Sequence, residues 1–208
     1  MGDGNRRFAA IVLAAGGSRR MGRPKQLLPY AGRSLIEHAI QIAIDAGCGE
    51  VYAVVGAAAN RIAPIVASTR AHVVENAHWQ DGMAGSIRVG LDAADANGSI
   101  KEILFTLVDQ PLVTSAALAK LLEAFDNNAV PAAASLYAGG PGVPAVFSRT
   151  LFPELRALRG AEGAKTVLAR HRDRLIILPL PEAAIDVDRP ADYESLLAQN
   201  HPRHQEVT

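Results

Sequence analysis

A loop rich in glycine and arginine follows the first apolar run of the sequence. The stretch IVLAAGGSRRMGRPK covers residues 11–25, and its apolar half ends at Gly16 and Gly17. Cationic side chains follow at Arg19, Arg20, Arg23 and Lys25. Backbone N–H groups of a glycine-containing turn form a nest for an anion, and the cations repel one another unless an anion lies among them. The pattern is compatible with a polyphosphate-binding loop and equally with the alternative, a solvated flexible turn.

This loop departs from both common phosphate-binding motifs. Gly17 and Gly22 have the spacing of a Walker A motif, but Arg23 and Pro24 follow them instead of Lys and Ser or Thr. The glycine spacing is also wrong for a dinucleotide-binding fingerprint, and no acidic residue ends the second apolar run, VYAVVG. Glycines followed by arginines and a lysine after a strand therefore predict a triphosphate ligand.

Carboxylates that could hold a metal ion for such a ligand occur in two other stretches. In the stretch LFTLVDQP, Asp109 directly follows a run of mostly apolar residues. In IDVDRP, Asp186 and Asp188 are separated by one valine. A triphosphate site needs Mg²⁺, which prefers one or two carboxylates together with phosphate oxygens and water. Because alternate residues of an extended segment face opposite sides, only one of Asp186 and Asp188 is expected to point at the site. The alternative is that Asp109 and Asp188 cap the helices that follow them.

Two glycine-containing stretches could complete the cleft. WQDGMAGSIRVG supplies Gly82, Ser86 and backbone donors near a helix N-terminus, where phosphate or ribose oxygens bind favourably. The alternative is a helix packed tightly on the sheet, with Trp79 in the core. The stretch YAGGPGVPAVF, residues 137–147, is predicted to be a shaped loop on the acceptor side of the cleft, or a wide turn.

Residues for general acid–base chemistry are not evident in the sequence. The six histidines include no H-x-x-x-H pair, no Ser/His/Asp set can be placed, and Ser18 lacks the G-x-S-x-G context of a nucleophile. His38 falls inside a predicted helix and is expected to be structural. These observations disfavour a hydrolase. They are compatible with transfer to a phosphate acceptor, whose nucleophile is already ionised and needs only positioning and charge neutralisation.

The elements that must position these residues alternate between short β-branched runs and helical patterns, which predicts an α/β fold with a mainly parallel sheet. The predicted strands are Ala9–Ala15, Val51–Gly56, His72–Glu75, Ile103–Asp109, Ala132–Leu136 and Leu175–Leu178. Ligands of such sheets bind outside the carboxyl ends of the strands. The first loop, the Trp79 stretch and the Asp109 stretch all fall at predicted strand ends, so we expect them to form one site.

Helix boundaries are marked by residues with known capping preferences. Ser34 and Glu37 form a capping box before the helix SLIEHAIQIAIDAG, which should stop at Gly47. Thr114 or Ser115 can cap a helix over AALAKLLEAF. Pro190 suits the first position of a last helix.

The bulk composition fits a soluble protein of one domain. The chain has 208 residues, a formal net charge of zero and a single cysteine, Cys48, so there is no global basic field for nucleic acid and no internal disulfide. Neither a signal peptide nor a membrane-spanning run is present in the sequence, so the expected location is the cytoplasm. We expect one domain over residues 8–200 and disordered tails over residues 1–7 and 201–208.

Several of these stretches together resemble the nucleotidyltransferases of the molybdenum cofactor type, the MobA-like NTP transferases. LAAGGSRRMGRPKQLLP resembles their signature loop, and NAHWQDGMAGSIRVG, VDQPLVT, YAGGPGVPAVF, LRGAEGAKTVL and DVDRPADY are similar to their later motifs, in the same order. The resemblance implies a Rossmann-like three-layer nucleotidyltransferase fold with a mainly parallel mixed sheet. The cytidylyltransferase branch is the nearest. The guanylyltransferase branch usually has L-A-G-G at positions 13–16 and often D-M-P at 109–111.

The resemblance also implies roles for individual residues. It assigns the base and phosphates to the loop backbone, the triphosphate to Arg19 and Lys25, other nucleotide contacts to Gly82 and Ser86, and Mg²⁺ to Asp109 with Asp188. The loop residues concerned are Leu13, Ala14, Ala15, Gly16, Gly17 and Ser18. It implies CTP, or another NTP, and a molybdopterin-type acceptor as substrates, and a molybdoenzyme as partner. The chain departs from the family pattern G-D-x-G-A-R at residues 160–165, which read GAEGAK.

Other functions remain open at this point. A nucleotidyltransferase of the same kind could use GTP or a different phosphorylated acceptor, such as a sugar phosphate. A chaperone could bind the mature cofactor without turnover, and a nicotinamide oxidoreductase could carry a degenerate glycine loop. Pyrophosphate release separates the transferases from the other two classes.

Overall fold

Strands and helices alternate along the part of the chain that the computed structural model describes, residues 8–96 and 98–200. The strands are β1 Phe8–Leu13, β2 Pro29–Tyr30, β3 Arg33–Ser34, β4 Glu50–Val55, β5 His72–Glu75, β6 Glu102–Leu107, β7 Ala132–Tyr137, β8 Gly140–Ser148 and β9 Leu175–Pro179. The α-helices are α1 Leu35–Asp45, α2 Ala59–Ala67, α3 Met83–Ala94, α4 Ser115–Asp126, α5 Phe152–Ala157, α6 Ala164–Arg170 and α7 Pro190–Asn200. The expected tails, residues 1–7 and 201–208, lie outside the described residues.

A seven-stranded sheet has the order β5-β4-β1-β6-β8-β7-β9, and β2 and β3 form a separate two-stranded hairpin. β5, β4, β1 and β6 are parallel neighbours. β8 runs antiparallel to both β6 and β7, and β9 is parallel to β7. The prediction of a mainly parallel mixed sheet is confirmed.

β8 corrects the prediction of a loop over residues 137–147. Its residues from Pro141 to Phe147 are buried, and the strand lies in the sheet between β6 and β7. The register of β7 on β8 shifts between Ala134 and Ser135, which leaves Pro144 inside a bulge where the ladder needs no N–H donor. The glycines and prolines of this segment are typical of loops, and for this reason the sequence did not predict the buried strand.

Helices cover both faces of the sheet and give the three layers. One apolar cluster joins the sheet to α1, α2, α4 and α7, and a second joins its other face to α3, α5 and α6. Gly90 of α3 allows the closest approach, because a Cβ there would come 2.8 Å from side-chain carbons of both Ile11 and Val54. α3 is thereby held against the carboxyl-terminal halves of β1 and β4, next to the first loop.

The predicted helix boundaries agree with the structure. Ser34 and Glu37 form the capping box of α1, and Gly47 follows that helix with a φ of 104°. Thr114 caps α4, its hydroxyl accepting from the N–H of Ala117. α7 begins at Pro190. Among the described residues, none of the helices is long and apolar enough to cross a membrane.

Candidate functional site

A cleft of about 370 Å³ opens at the carboxyl ends of β1 and β6. All the site residues predicted from the sequence line it, except Ser18 and Asp188. The lining also includes residues that the sequence analysis did not assign to the site: Gln26, Trp79, Gln80, Met83, Leu107 and Val108. Its volume is in the range of small-molecule sites, which span about 300–1,000 Å³.

The loop after β1 is held in place by hydrogen bonds between its first and last residues. Gln26 is buried, and its Nε2 donates to the carbonyl oxygens of Ala14 at 2.7 Å and Gly16 at 2.9 Å. The N–H of Lys25 donates to Ser18 Oγ at 3.1 Å. These bonds fix the course of residues 14–25 and so disfavour the alternative of a flexible turn. Gln26 was missed because a glutamine beside a lysine has no distinctive sequence signal.

A cluster of charged side chains lies at the β6 end of the cleft. Lys25 Nζ donates to Asp109 Oδ2 at 2.6 Å and to Asp188 Oδ1 at 2.8 Å. Arg20 Nη2 donates to Asp188 Oδ2 at 2.5 Å. Burial lowers the pKa of Lys25, but the two carboxylates outweigh it and the pKa is raised. For Asp188 burial raises the pKa, yet Lys25 and Arg20 more than compensate and hold it below its usual value.

Of the two alternating aspartates, Asp188 pairs with Lys25 and Arg20, and the charge of Asp186 is influenced by Asp109 and Asp188. Partial burial raises the pKa of Asp186 to about 6, with repulsion from Asp109 and Asp188 adding to the effect. The segment carrying Asp186 and Asp188 is an irregular loop rather than a strand, so the alternation rule does not apply to it.

The capping alternatives do not describe the two aspartates. Thr114 caps α4, and Asp109 faces Lys25 instead. At the start of α7 the Asp192 carboxylate accepts the N–H groups of Asp188 and Arg189. The Asp188 carboxylate is therefore left to Lys25 and Arg20.

Gln110 connects the turn that carries Asp109 to the neighbouring strand β8 and to the segment before Asp186. It is buried, and its Nε2 donates to the carbonyl oxygen of Ala183 at 2.7 Å and that of Val143 at 3.3 Å. Tyr137 donates its hydroxyl to the same Val143 oxygen at 2.6 Å. One amide thus ties the turn after β6 to β8 and to the segment that precedes Asp186.

The carboxylates of this cluster suit a divalent metal ion. Asp109 Oδ1 is buried and has no hydrogen-bond partner, while its Oδ2 faces the cation of Lys25. Carboxylate oxygens are the ligands that Mg²⁺ and Mn²⁺ prefer. Within residues 8–96 and 98–200, no set of three or more His, Cys, Asp or Glu side chains is arranged to hold a metal unaided. A metal bound at Asp109 and Asp188 would therefore take further ligands from a substrate or water.

The opposite end of the cleft is apolar and lies against Trp79. Gly17 and Gly56 both contact the indole side chain closely. Ser86, the fourth residue of α3, is buried and accepts from Nδ2 of Asn76 at 3.1 Å. Gly82 has a φ of 111°, and a Cβ there would come 2.2 Å from the carbonyl oxygen of Gly160. Ser86 and Gly82, both predicted to contact the nucleotide, thus also hold the walls of the cleft in place.

The structure thus brings a glycine loop, a lysine and two carboxylates together at one edge of an α/β sheet. Residues 10–175 match the MobA-like NTP transferase domain. The chain belongs to this family of nucleotidyltransferases.

Individual relatives differ in the activities that their names state. The chain is 32% identical over 174 residues to "Nicotine blue oxidoreductase" of Paenarthrobacter nicotinovorans, covering 81% of this chain and 84% of that protein. It is 30% identical over 172 residues to "Purine catabolism protein PucB" of Bacillus subtilis, covering 76% and 78%.

Solved structures agree with the fold over nearly the whole chain. Rv0371c from Mycobacterium tuberculosis is 33% identical, with a TM-score of 0.78 and coverage of 92% of this chain and 98% of that one. A structure of Rv0371C in complex with manganese is 31% identical, with a TM-score of 0.72 and the same coverages.

Proposed function

We propose that this protein transfers CMP from CTP to the terminal phosphate of molybdopterin, with release of pyrophosphate and dependence on Mg²⁺. The observation that carries the proposal is the ion cluster of Lys25, Asp109 and Asp188 at the end of β6, facing the glycine loop across one cleft. Membership of the NTP transferase family supplies the reaction class.

The residues of the cleft have distinct tasks in such a transfer. An oxygen of the acceptor phosphate attacks the α-phosphorus of CTP, and the bond from that phosphorus to the pyrophosphate oxygen breaks. The nucleophile is already ionised, so catalysis depends on positioning and on neutralising the charge of the leaving group. Arg19 and Lys25 line the cleft and supply positive charge for the triphosphate. Asp109 and Asp188 would hold the metal, which supplies further positive charge to the phosphates when bound.

The choice of CTP rests on the first loop. Ala15 is buried at the end of β1 and stands where the guanylyltransferase branch usually has glycine. Its methyl group narrows the cleft beside the loop backbone, and a smaller base tolerates this better than a purine does. The choice of molybdopterin rests on the resemblance of the later motifs, and it implies a molybdoenzyme as the partner that receives the product.

A substrate panel tests the proposal. The purified protein is incubated with Mg²⁺ and each common nucleoside triphosphate, with and without molybdopterin, and both pyrophosphate and the dinucleotide product are measured. We expect pyrophosphate only with CTP and molybdopterin together, in equal amount to a cytidine dinucleotide. Preference for GTP, or turnover only with another phosphorylated acceptor, would reject the specific substrates and leave the reaction class.

An oxidoreductase is the second candidate, because a relative of 32% identity bears the name nicotine blue oxidoreductase. The loop lacks the glycine spacing of a dinucleotide fingerprint, which argues against it. Oxidation of NADH or NADPH by the protein, with no pyrophosphate released under any triphosphate, would favour this candidate. Binding of mature cofactor without any turnover would instead favour a chaperone.

A further inference from the structure

Trp79 is the single tryptophan of the chain and stands at the apolar end of the cleft. Its ring lies directly on the backbone of two loops. A Cβ at Gly17 would come 2.9 Å from Cη2 and Cζ3 of the indole, and a Cβ at Gly56 would come 2.6 Å from the Cβ of Trp79. No residue other than glycine leaves room for the ring at either position. The close approach therefore fixes where the indole surface lies.

The turn that carries Trp79 is anchored at several points. The buried Asn76 donates its N–H to Val55 O at 2.8 Å and its Nδ2 to Ser86 Oγ at 3.1 Å. Its Oδ1 accepts the N–H of His78 at 3.0 Å, and its carbonyl oxygen accepts the N–H of Trp79 at 3.2 Å. These bonds tie the turn to the end of β4 and to α3. The backbone that carries the indole is thus held in place without a ligand.

The indole and the charged cluster occupy different ends of the cleft. Gly56 follows β4 and Asp109 follows β6, with β1 between these strands. The ends of β4 and β6 are therefore two strand spacings apart, or roughly 10 Å. The charged end suits phosphates, and the end formed by Ala15, Gly17 and Trp79 suits a flat, largely apolar group. A nucleotide with its phosphates at Lys25 would extend its base toward the indole.

We propose that Trp79 forms one wall of the nucleobase subsite and that its fixed position limits the width of that subsite to a pyrimidine. The inference rests on the proposed function for the identity of the ligand class. A base stacks on an indole face with a favourable contribution, and an anchored ring does not retreat to admit a larger base. Ala15 reinforces the limit, because its side chain lines the same cleft and lies so close to Gly56 that a Cβ placed there would come 2.9 Å from the Cβ of Ala15.

Intrinsic fluorescence of the unmodified protein tests the wall directly, because Trp79 is the only indole. Emission is recorded during titration with CTP, GTP and NADPH, with free tryptophanamide as the control for absorption by the nucleotide. Calorimetry measures binding independently. We expect saturable quenching by CTP at its calorimetric affinity and weaker binding of GTP. Calorimetric binding of CTP without a change in emission, or equal responses to CTP and GTP, would overturn the proposal.

Variants of Trp79 separate the contribution of base stacking from the limit on the width of the subsite. Trp79→Phe keeps an aromatic face but recedes, and Trp79→Ala removes the wall; His78→Ala is the matched control, since that side chain is an exposed neighbour that does not line the cleft. We expect Trp79→Ala to weaken CTP binding by roughly 5- to 150-fold, the range that one base stack supplies. Both Trp79 variants should lower the CTP-to-GTP affinity ratio. A ratio that stays unchanged in both folded variants would overturn the width limit.

The outcomes also distinguish this inference from the proposed function. Quenching by CTP together with absence of any transfer to molybdopterin would reject the acceptor and retain the role of Trp79. Transfer of CMP with no indole response would retain the function and reject the wall. Absence of calorimetric binding for every nucleotide would reject both.

Discussion

Lys25 Nζ lies 2.6 Å from Asp109 Oδ2 and 2.8 Å from Asp188 Oδ1, so one lysine bridges the two carboxylates proposed to hold the metal. The side chain of Lys25 is only 10% exposed, which shields the bridge from solvent. A lysine and a divalent ion at this position compete for the negative charge of the same two carboxylates. The role proposed for Lys25 at the triphosphate therefore requires its ammonium group to leave the carboxylates when the metal and nucleotide enter.

Replacing Lys25 by methionine should separate its competition with the metal from its proposed role at the triphosphate. The variant keeps the length of the side chain but removes the competing cation, so we expect Mn²⁺ to bind the nucleotide-free protein about tenfold more tightly or better. The turnover rate should fall by about 10²- to 10³-fold, as for loss of one preorganised charge donor. Electron paramagnetic resonance measures free Mn²⁺, and Arg61→Met, on α2, is the control. Unchanged Mn²⁺ affinity would contradict the competition.

Asp109→Asn should abolish transfer while the protein still folds. The change removes the charge of a half-buried carboxylate proposed to hold the metal, and we expect a loss of at least about 10²-fold in rate. Lys25 keeps Asp188 as a partner, so the cation is not left unpaired. Turnover in Mg²⁺ and the thermal midpoint are measured beside Asp45→Asn, an aspartate on α1. Wild-type turnover in the Asp109 variant would place the metal elsewhere.

Gln110→Met should weaken the connection between the metal-side turn and β8. Methionine fills a similar volume but donates no hydrogen bond, so the carbonyl oxygens of Ala183 and Val143 lose a donor. We expect the free energy of unfolding to fall by about 1–3 kcal/mol. Urea denaturation measures this loss. Gln41→Met, at an exposed amide on α1 that donates only to Asp45, is the control and should change little.

The sequence predicted the sheet and the positions of the candidate residues at its strand ends, because local patterns carry that information. The apolar runs became β1, β4, β5, β6, β7 and β9, and Gly16, Lys25 and Asp109 met at the strand ends. What it could not predict depends on tertiary contacts. Gln26 and Gln110 act through hydrogen bonds to distant carbonyl groups, and β8 is identified by its neighbours rather than by its composition.

Asp95 should contribute to stability in a pH-dependent way. Burial raises its pKa, but hydrogen bonds and charges from Arg149 and Arg156 outweigh this and hold the pKa below its ordinary value. A lowered pKa means that the stabilisation is present above about pH 4 and is lost as the pH falls through the folded-state value. Asp95→Asn should therefore destabilise the protein by about 1–3 kcal/mol at neutral pH.

The same variant should match the wild type more closely in acid. Denaturant unfolding of both proteins at neutral pH and below about pH 3 gives the comparison. Asp92→Asn is the control, because its side chain is 60% exposed and pairs with Arg156 at the surface. A difference between Asp95→Asn and wild type that does not shrink at low pH would show that packing, not charge, makes the contribution.

Ala15→Gly should raise the use of GTP without making the protein specific for it. The Ala15 side chain is buried at the end of β1, beside the position of Gly56 and the indole of Trp79. Removing one methyl group from a binding pocket changes discrimination by about 1–3 kcal/mol, or roughly 10- to 200-fold. The quantity measured is kcat/KM for CTP and GTP with molybdopterin as acceptor, in wild type and variant. A wild type that prefers GTP would reject the cytidylyl assignment. An unchanged ratio in the variant would reject only the role of Ala15 and would leave the width of the subsite to Trp79.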